Sequence, residues 1–149
     1  MALHQSDIVE CEVRIAARPE TVFRFFTEAD QMVRWKGLRA TLDPRPGGVY
    51  RVDINGADVA RGEYVEIVPH RRVVFTWGWE GNRHGVPPGT SRVEISLIPD
   101  GDGTIVRLAH RDLPAETRKP HAEGWQHYLP RLAAVAAGSD PGPDPWASA

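Results

Sequence analysis

This chain of 149 residues is short of most residue patterns that mark a specialised protein. It has one cysteine, Cys11, which excludes an internal disulfide. That residue lies in the alternating run Val9, Cys11, Val13, Ile15, where a thiol behaves as a small core hydrophobe. No apolar run approaches the roughly 20 residues needed to cross a bilayer. The opening MALHQSDIVE also lacks the basic and apolar regions of a signal peptide, so a cytoplasmic protein is expected. Neither sign of charge is in excess. Eighteen basic and twenty acidic residues leave a net charge of -2, too little positive field to hold a phosphate backbone. Glycine motifs of the G-x-G-x-x-G and G-x-x-x-x-G-K-[ST] kinds are missing, and no serine, threonine or cysteine stands in an activating motif. Nucleic acid, membrane and cofactor are therefore not expected as partners, and binding is favoured over catalysis.

What is present is the patterning of one ordinary globular domain. A chain of this length buries roughly two-thirds of the surface exposed by its unfolded form, enough for one core. Hydrophobic residues make up 41% and charged residues 26%. Residues 8 to 16 alternate Val9, Cys11, Val13, Ile15 with Glu10, Glu12, Arg14, the period of a strand with one wet face. Pro19 suits a first helical turn, and Val22, Phe23, Phe26 and then Met32, Trp35 space out as stripes on two short helices. From 38 to 111 turn signals such as Pro46-Gly47-Gly48, Asn55-Gly56 and Asp100-Gly101 divide the chain into six strands, each with one apolar face. Arg51, Arg61, Arg92 and Arg107 fall on the outer faces, with Asp53 and Glu94 as expected cross-strand partners.

After Leu113-Pro114 the period lengthens: Trp125, Leu129, Leu132, Val135 and Ala136 predict an amphipathic helix from about 116 to 137, with Pro130 bending it and Gly138 ending it. The domain is placed at 1–138. The tail 139–149 is expected to be flexible, rich in Pro, Gly and Asp, with Trp146 its one candidate for docking.

This order of strand, two short helices, six strands and long helix resembles the helix-grip fold of the START-like (SRPBCC) superfamily. The resemblance implies an α+β domain in which a curved antiparallel sheet of about seven strands wraps around a long C-terminal helix. Five segments narrow it: Arg45-Pro46-Gly47-Gly48-Val49-Tyr50, Gly62-Glu63-Tyr64-Val65-Glu66-Ile67, Val73-Val74-Phe75-Thr76-Trp77, His110-Arg111-Asp112-Leu113 and Glu123-Gly124-Trp125. Together, over about residues 8 to 137, they look like the Aha-type family, homologues of the activator of the heat-shock-protein-90 ATPase. One departure stands out. Members commonly carry two adjacent tryptophans where this chain has Trp35-Lys36, so a lysine replaces an aromatic wall. The resemblance implies a cavity between sheet and helix that binds a small hydrophobic molecule, including lipids. Related proteins also suggest a chaperone-associated or stress-response role, a homodimer, or activity as a cyclase, dehydratase or hydrolase.

On this reading the inward row and the helix face give the candidate ligand-binding set Trp35, Tyr50, Val52, Glu63, Phe75, Trp77, Trp79, Ile95, Leu108, His110, His121, Trp125 and Leu129. Large aromatics in such a set either fill a core or line a cavity. His110 ends the row Val106, Leu108, His110 and would reach the cavity mouth, where an imidazole bonds a ligand, moves a proton or simply satisfies a backbone carbonyl. Glu63 faces inward if Val65 and Ile67 do, as a carboxylate of raised pKa, whereas a bulge near Gly62 would turn it outward. An enzyme would use His110 and Glu63. His110, His121 and Glu123 show no metal-ligand spacing, so no metal is expected. The segment Gly85 to Gly89, stiffened by Pro87 and Pro88, is expected to overhang the pocket or to form a dimer contact.

Overall fold

The computed structural model of the protein describes residues 7–147. Strand β1 (Val9–Ile15) is followed by helices α1 (Pro19–Thr27) and α2 (Ala29–Met32). Six further strands come next, β2 (Arg39–Leu42), β3 (Val49–Asp53), β4 (Val59–Val68), β5 (Arg72–Trp77), β6 (Ser91–Asp100) and β7 (Gly103–Arg111), and the helix α3 (Ala115–Ala136) follows them. All seven strands form one antiparallel sheet in the order β1-β7-β6-β5-β4-β3-β2. This is the α+β helix-grip architecture expected from the sequence. Among the described residues no helix is long and apolar enough to cross a membrane.

The alternation seen in the sequence places the core. Val9 and Ile15 of β1, Tyr50 and Val52 of β3, Val93, Ile95 and Leu97 of β6, and Val106 and Leu108 of β7 are all buried. α1 starts on Pro19, whose missing N–H costs nothing in a first turn, and buries Val22, Phe25 and Phe26. The centre of the grip is closed by rings. Tyr50 stacks on Phe75 at 4.0 Å, and Tyr64 meets both edge-on at 5.8 and 6.1 Å. Such pairs contribute about 0.5–1.5 kcal/mol each beyond burial of their area. The Tyr64 hydroxyl donates to the Phe26 carbonyl at 2.8 Å and the Trp35 indole donates to the Phe25 carbonyl at 3.1 Å, so buried polar bonds pin α1 to β4 and to the segment that follows α2.

Three expectations need correction. Glu63 is exposed and faces away from the core, with its backbone N–H bonded to the Thr76 hydroxyl at 2.9 Å. The reason is a bulge in β4: Tyr64 pairs with Phe75 but Glu66 pairs with Val74, so the alternation changes phase at Val65, itself 37% exposed. Counting back from Ile67 across that bulge puts Glu63 on the wrong face. Gly62 and Tyr64 occupy the inner face instead, and a Cβ at Gly62 would overlap the Thr76 carbonyl. Secondly, the outer arginines take other partners. Arg51 and Arg61 share Glu80, Arg107 pairs with Glu12, Asp53 takes Arg39, and Glu94 takes Arg72 and Arg111. The Arg107–Glu12 pair, exposed on both sides, contributes roughly 0–1 kcal/mol, whereas Asp53 and Glu94 are mostly buried. Thirdly, Cys11 is half-buried at the edge of the core rather than fully inside it, and burial still pushes its thiol pKa up, away from reactivity.

Candidate ligand-binding site

The inner face of α3 has two halves. Leu129, Leu132 and Val135 pack into the closed core, whereas the turns before them carry Thr117, His121, Trp125 and Tyr128 inward. In front of those earlier turns lies a cavity of about 660 Å³. Its far wall is Trp77 at the end of β5 and Trp79 just beyond, and its rim is Ile54, Asn55 and Asp58 from the β3–β4 turn with His84 and Gly85 of the 3-10 turn Glu80–Gly85. The volume lies within the range of roughly 300–1,000 Å³ usual for small-molecule sites. The 3-10 turn is fixed by the Trp79 N–H donating to the Val86 carbonyl at 2.7 Å and by close packing of Pro87 and Pro88 over Gly78, where a Cβ would overlap the Pro87 carbonyl.

Behind the aromatic wall the polar groups form a closed relay. The Trp125 indole N–H donates to His110 Nδ1 at 3.1 Å, and the Ser91 hydroxyl donates to the Trp77 carbonyl at 2.8 Å. The Ser91 oxygen is thereby left to accept from His110 Nε2 at 2.9 Å, which fixes the imidazole as its Nε2–H tautomer. His110 is fully buried, and burial, with His121 and Lys36 nearby, lowers its pKa to about 2. Both ring nitrogens are occupied, so His110 orients the Trp125 indole and holds no proton for exchange. His121 is similarly engaged: Nδ1 donates to the Thr117 carbonyl at 2.7 Å and Nε2 accepts from the Trp79 indole at 2.9 Å. Its pKa is also lowered, by burial first. Two neutral histidines thus hold the Trp125 and Trp79 indoles, with the Trp77 ring between them in ring contact with both at 5.3 Å.

Lys36 lies at the base of that surface. It is only 3% exposed, and its Nζ sits 4.2 Å from the Trp77 ring centre, 4.0 Å from Trp125 and 5.5 Å from Tyr128. Among the described residues no carboxylate or hydrogen-bond acceptor meets Nζ. Burial pushes its pKa well below the ordinary lysine value. At the rim Asp58 is the opposite case. Burial alone would raise it, but hydrogen bonds from Asn55, Arg83 and His84 bring it down to about 2. The last wall comes from beyond α3. Trp146 stacks on His127 at 4.1 Å and meets Tyr128 edge-on at 5.8 Å, while Asp144 accepts from His127 at 2.8 Å.

Of the candidate set, Trp77, Trp79, His121 and Trp125 line this cavity. His110 lies one layer behind them, and Trp35 one layer behind Tyr128, with 6.5 Å between ring centres. Tyr50, Val52, Phe75, Ile95, Leu108 and Leu129 belong to the closed core, where Tyr50 and Phe75 stack on each other. Glu63 is outside altogether. The sequence reading missed Lys36, Asp58, His84, Tyr128 and Trp146 as site residues. Lys36 and Tyr128 had signals, since Lys36 stands beside Trp35 where a second aromatic is usual and Tyr128 follows Trp125 by three residues on α3; Asp58, His84 and Trp146 enter from turns whose placement no periodicity encodes. Among the described residues no cluster of His, Cys, Asp or Glu is arranged to hold a metal ion.

Fold and site together define a helix-grip domain with an aromatic cavity under the front of its last helix. The chain belongs to the family of Activator of Hsp90 ATPase homolog 1-like proteins, whose family model matches residues 16–137. An AHSA1-like protein from Rhizobium etli is 48% identical, with 93% of this chain and 87% of that one covered and a TM-score of 0.73. CalU16 from Micromonospora echinospora is 27% identical over 91% of this chain and 77% of its own, with a TM-score of 0.72. The Aha1 dimer from Colwellia psychrerythraea, at 16% identity, shares the fold, covering 88% of this chain and 96% of its own with a TM-score of 0.75. No curated protein matches the chain.

Proposed function

We propose that the protein binds a small hydrophobic, ring-bearing molecule in the cavity under the first turns of α3. The observation that carries this reading is the cavity of about 660 Å³ walled by Trp77, Trp79, Trp125 and Tyr128, in a fold whose remaining interior is closed by packed rings. A closed polar relay spent on holding indoles in place suits a binding wall better than a proton-transfer centre. A ligand that loses about 300 Å² of apolar surface gains roughly 7 kcal/mol, part of which is offset by immobilisation, so micromolar dissociation constants are expected. Thermal-shift screening with fatty acids, polycyclic phenols and other aromatic metabolites tests the reading. Binders should raise the melting temperature and quench tryptophan fluorescence, and indifference to every class would remove it.

A second reading, a chaperone-associated module or homodimer, draws on the family and on solved relatives described as an Aha1 dimer and as an HSP90 activator from Plasmodium falciparum. Light scattering that returns a monomeric mass, together with no retention by immobilised chaperone, would argue against it.

A further inference from the structure

Lysine is rare in this chain. Among 18 basic residues only Lys36 and Lys119 are lysines, and arginine serves wherever a cation meets a carboxylate, as in Arg14–Asp100 and Arg51–Glu80. Arginine keeps its charge under all conditions, whereas a lysine taken out of water can give up its proton and act as a nucleophile. Lys119 is exposed. Lys36 is buried, without a hydrogen-bond or ion-pair partner for Nζ among the described residues, and lines the cavity with its amine over two indole faces.

The groups that face Lys36 give it no counter-charge. His110 on β7 and His121 on α3 are held neutral by burial. The Tyr128 phenol is pushed up by burial and by Asp144, and so stays protonated. At the rim Asp58 is already engaged by Arg83 and His84. We propose that Lys36 captures apolar aldehydes or ketones from this cavity as an imine. This rests on the cavity being the ligand site and names the substrate class it takes. The amine lone pair forms the N–C bond while the carbonyl π pair moves to oxygen, which takes a proton from nitrogen to give a carbinolamine. The C–O bond then breaks, the oxygen leaves as water with the second nitrogen proton, and the nitrogen lone pair closes the C=N bond. No electrons are gained or lost and water is the sole by-product. An aromatic wall that restrains water also slows the reverse hydrolysis.

The full chain is incubated at pH 7 with 2-naphthaldehyde and sodium cyanoborohydride, then analysed by intact mass and peptide mapping. An ordinary lysine has only about one neutral amine in 2,500 at that pH, so Lys36 should be labelled at least about tenfold faster than exposed Lys119. Lys36→Met should lose that adduct while circular dichroism shows that the fold persists, and quenching of the natural protein by 2-naphthalenemethanol, which has no carbonyl, reports whether the cavity takes the probe. If the alcohol quenches the tryptophans but Lys36 is labelled no faster than Lys119, imine capture is refuted and the cavity reading stands. If neither probe binds nor reacts, both fall.

Discussion

Acid should destabilise this protein through His110, because the relay that holds the ring leaves no room for a second proton. In the unfolded chain the imidazole titrates near 6.5, and in the fold only at about 2. Between those values the unfolded chain binds more protons, so this contribution to stability is complete above pH 6.5 and is lost as the pH falls towards 2. At pH 4.5 the unfolded ring is charged and the folded one neutral. Two pH units at about 1.36 kcal/mol each then give a loss of roughly 2.7 kcal/mol, a large share of a total stability typically about 5–15 kcal/mol. His110→Gln keeps an acceptor for Trp125 and a donor for Ser91 but cannot be protonated. It should cost about 1–3 kcal/mol at pH 7 through poorer geometry. Urea denaturation at pH 7 and pH 4.5, followed by tryptophan fluorescence, measures both effects. The natural protein should lose about 2.7 kcal/mol more than the variant on acidification, since other acid-sensitive groups are common to both. Equal losses in the two proteins would refute the picture of a neutral, doubly bonded His110.

Three further outcomes are expected. Because the folded pKa of Lys36 lies below its unfolded value, its protonated form penalises the fold and the penalty fades as pH rises towards 10.5. Lys36→Met should therefore exceed the natural protein in stability at neutral pH, with the gap in urea titrations narrowing by up to about 1.4 kcal/mol per pH unit on the way up. Trp125→Ala removes a cavity wall and the donor to His110; calorimetry should show a loss of about 3–5 kcal/mol and ligand titration a loss of binding. Glu63→Gln should change stability by less than about 0.5 kcal/mol and leave ligand binding untouched, as measured by denaturation and fluorescence titration.

The architecture was legible because each element carried one unambiguous period: Val9 to Ile15 and Tyr50 to Ile54 at two, Trp125 to Val135 at three and four. Glu63 was misplaced because a bulge is one extra residue in a ladder, which alternation alone does not register. The cavity was harder. Tyr50, Phe75 and Trp77 have the same pattern in the sequence, yet the first two stack on each other and close the space, while the third stands where the front of α3 leaves it open. Which ring fills and which lines depends on distances between layers, a property of the assembled fold. Lys36 was visible as an oddity beside Trp35, but its meaning required seeing three rings around its amine and no acid.

The pairing of β1 with β7 ties Val9 to His110, about a hundred residues apart. The hairpin of β6 and β7 can zip as soon as its turn forms, but the outer flank of the strand carrying His110 is covered only when the start of the chain returns to it. Closing so long a loop is entropically slow, so the wall behind the indoles is expected to set late, as one event joining the first strand of the sheet to its last.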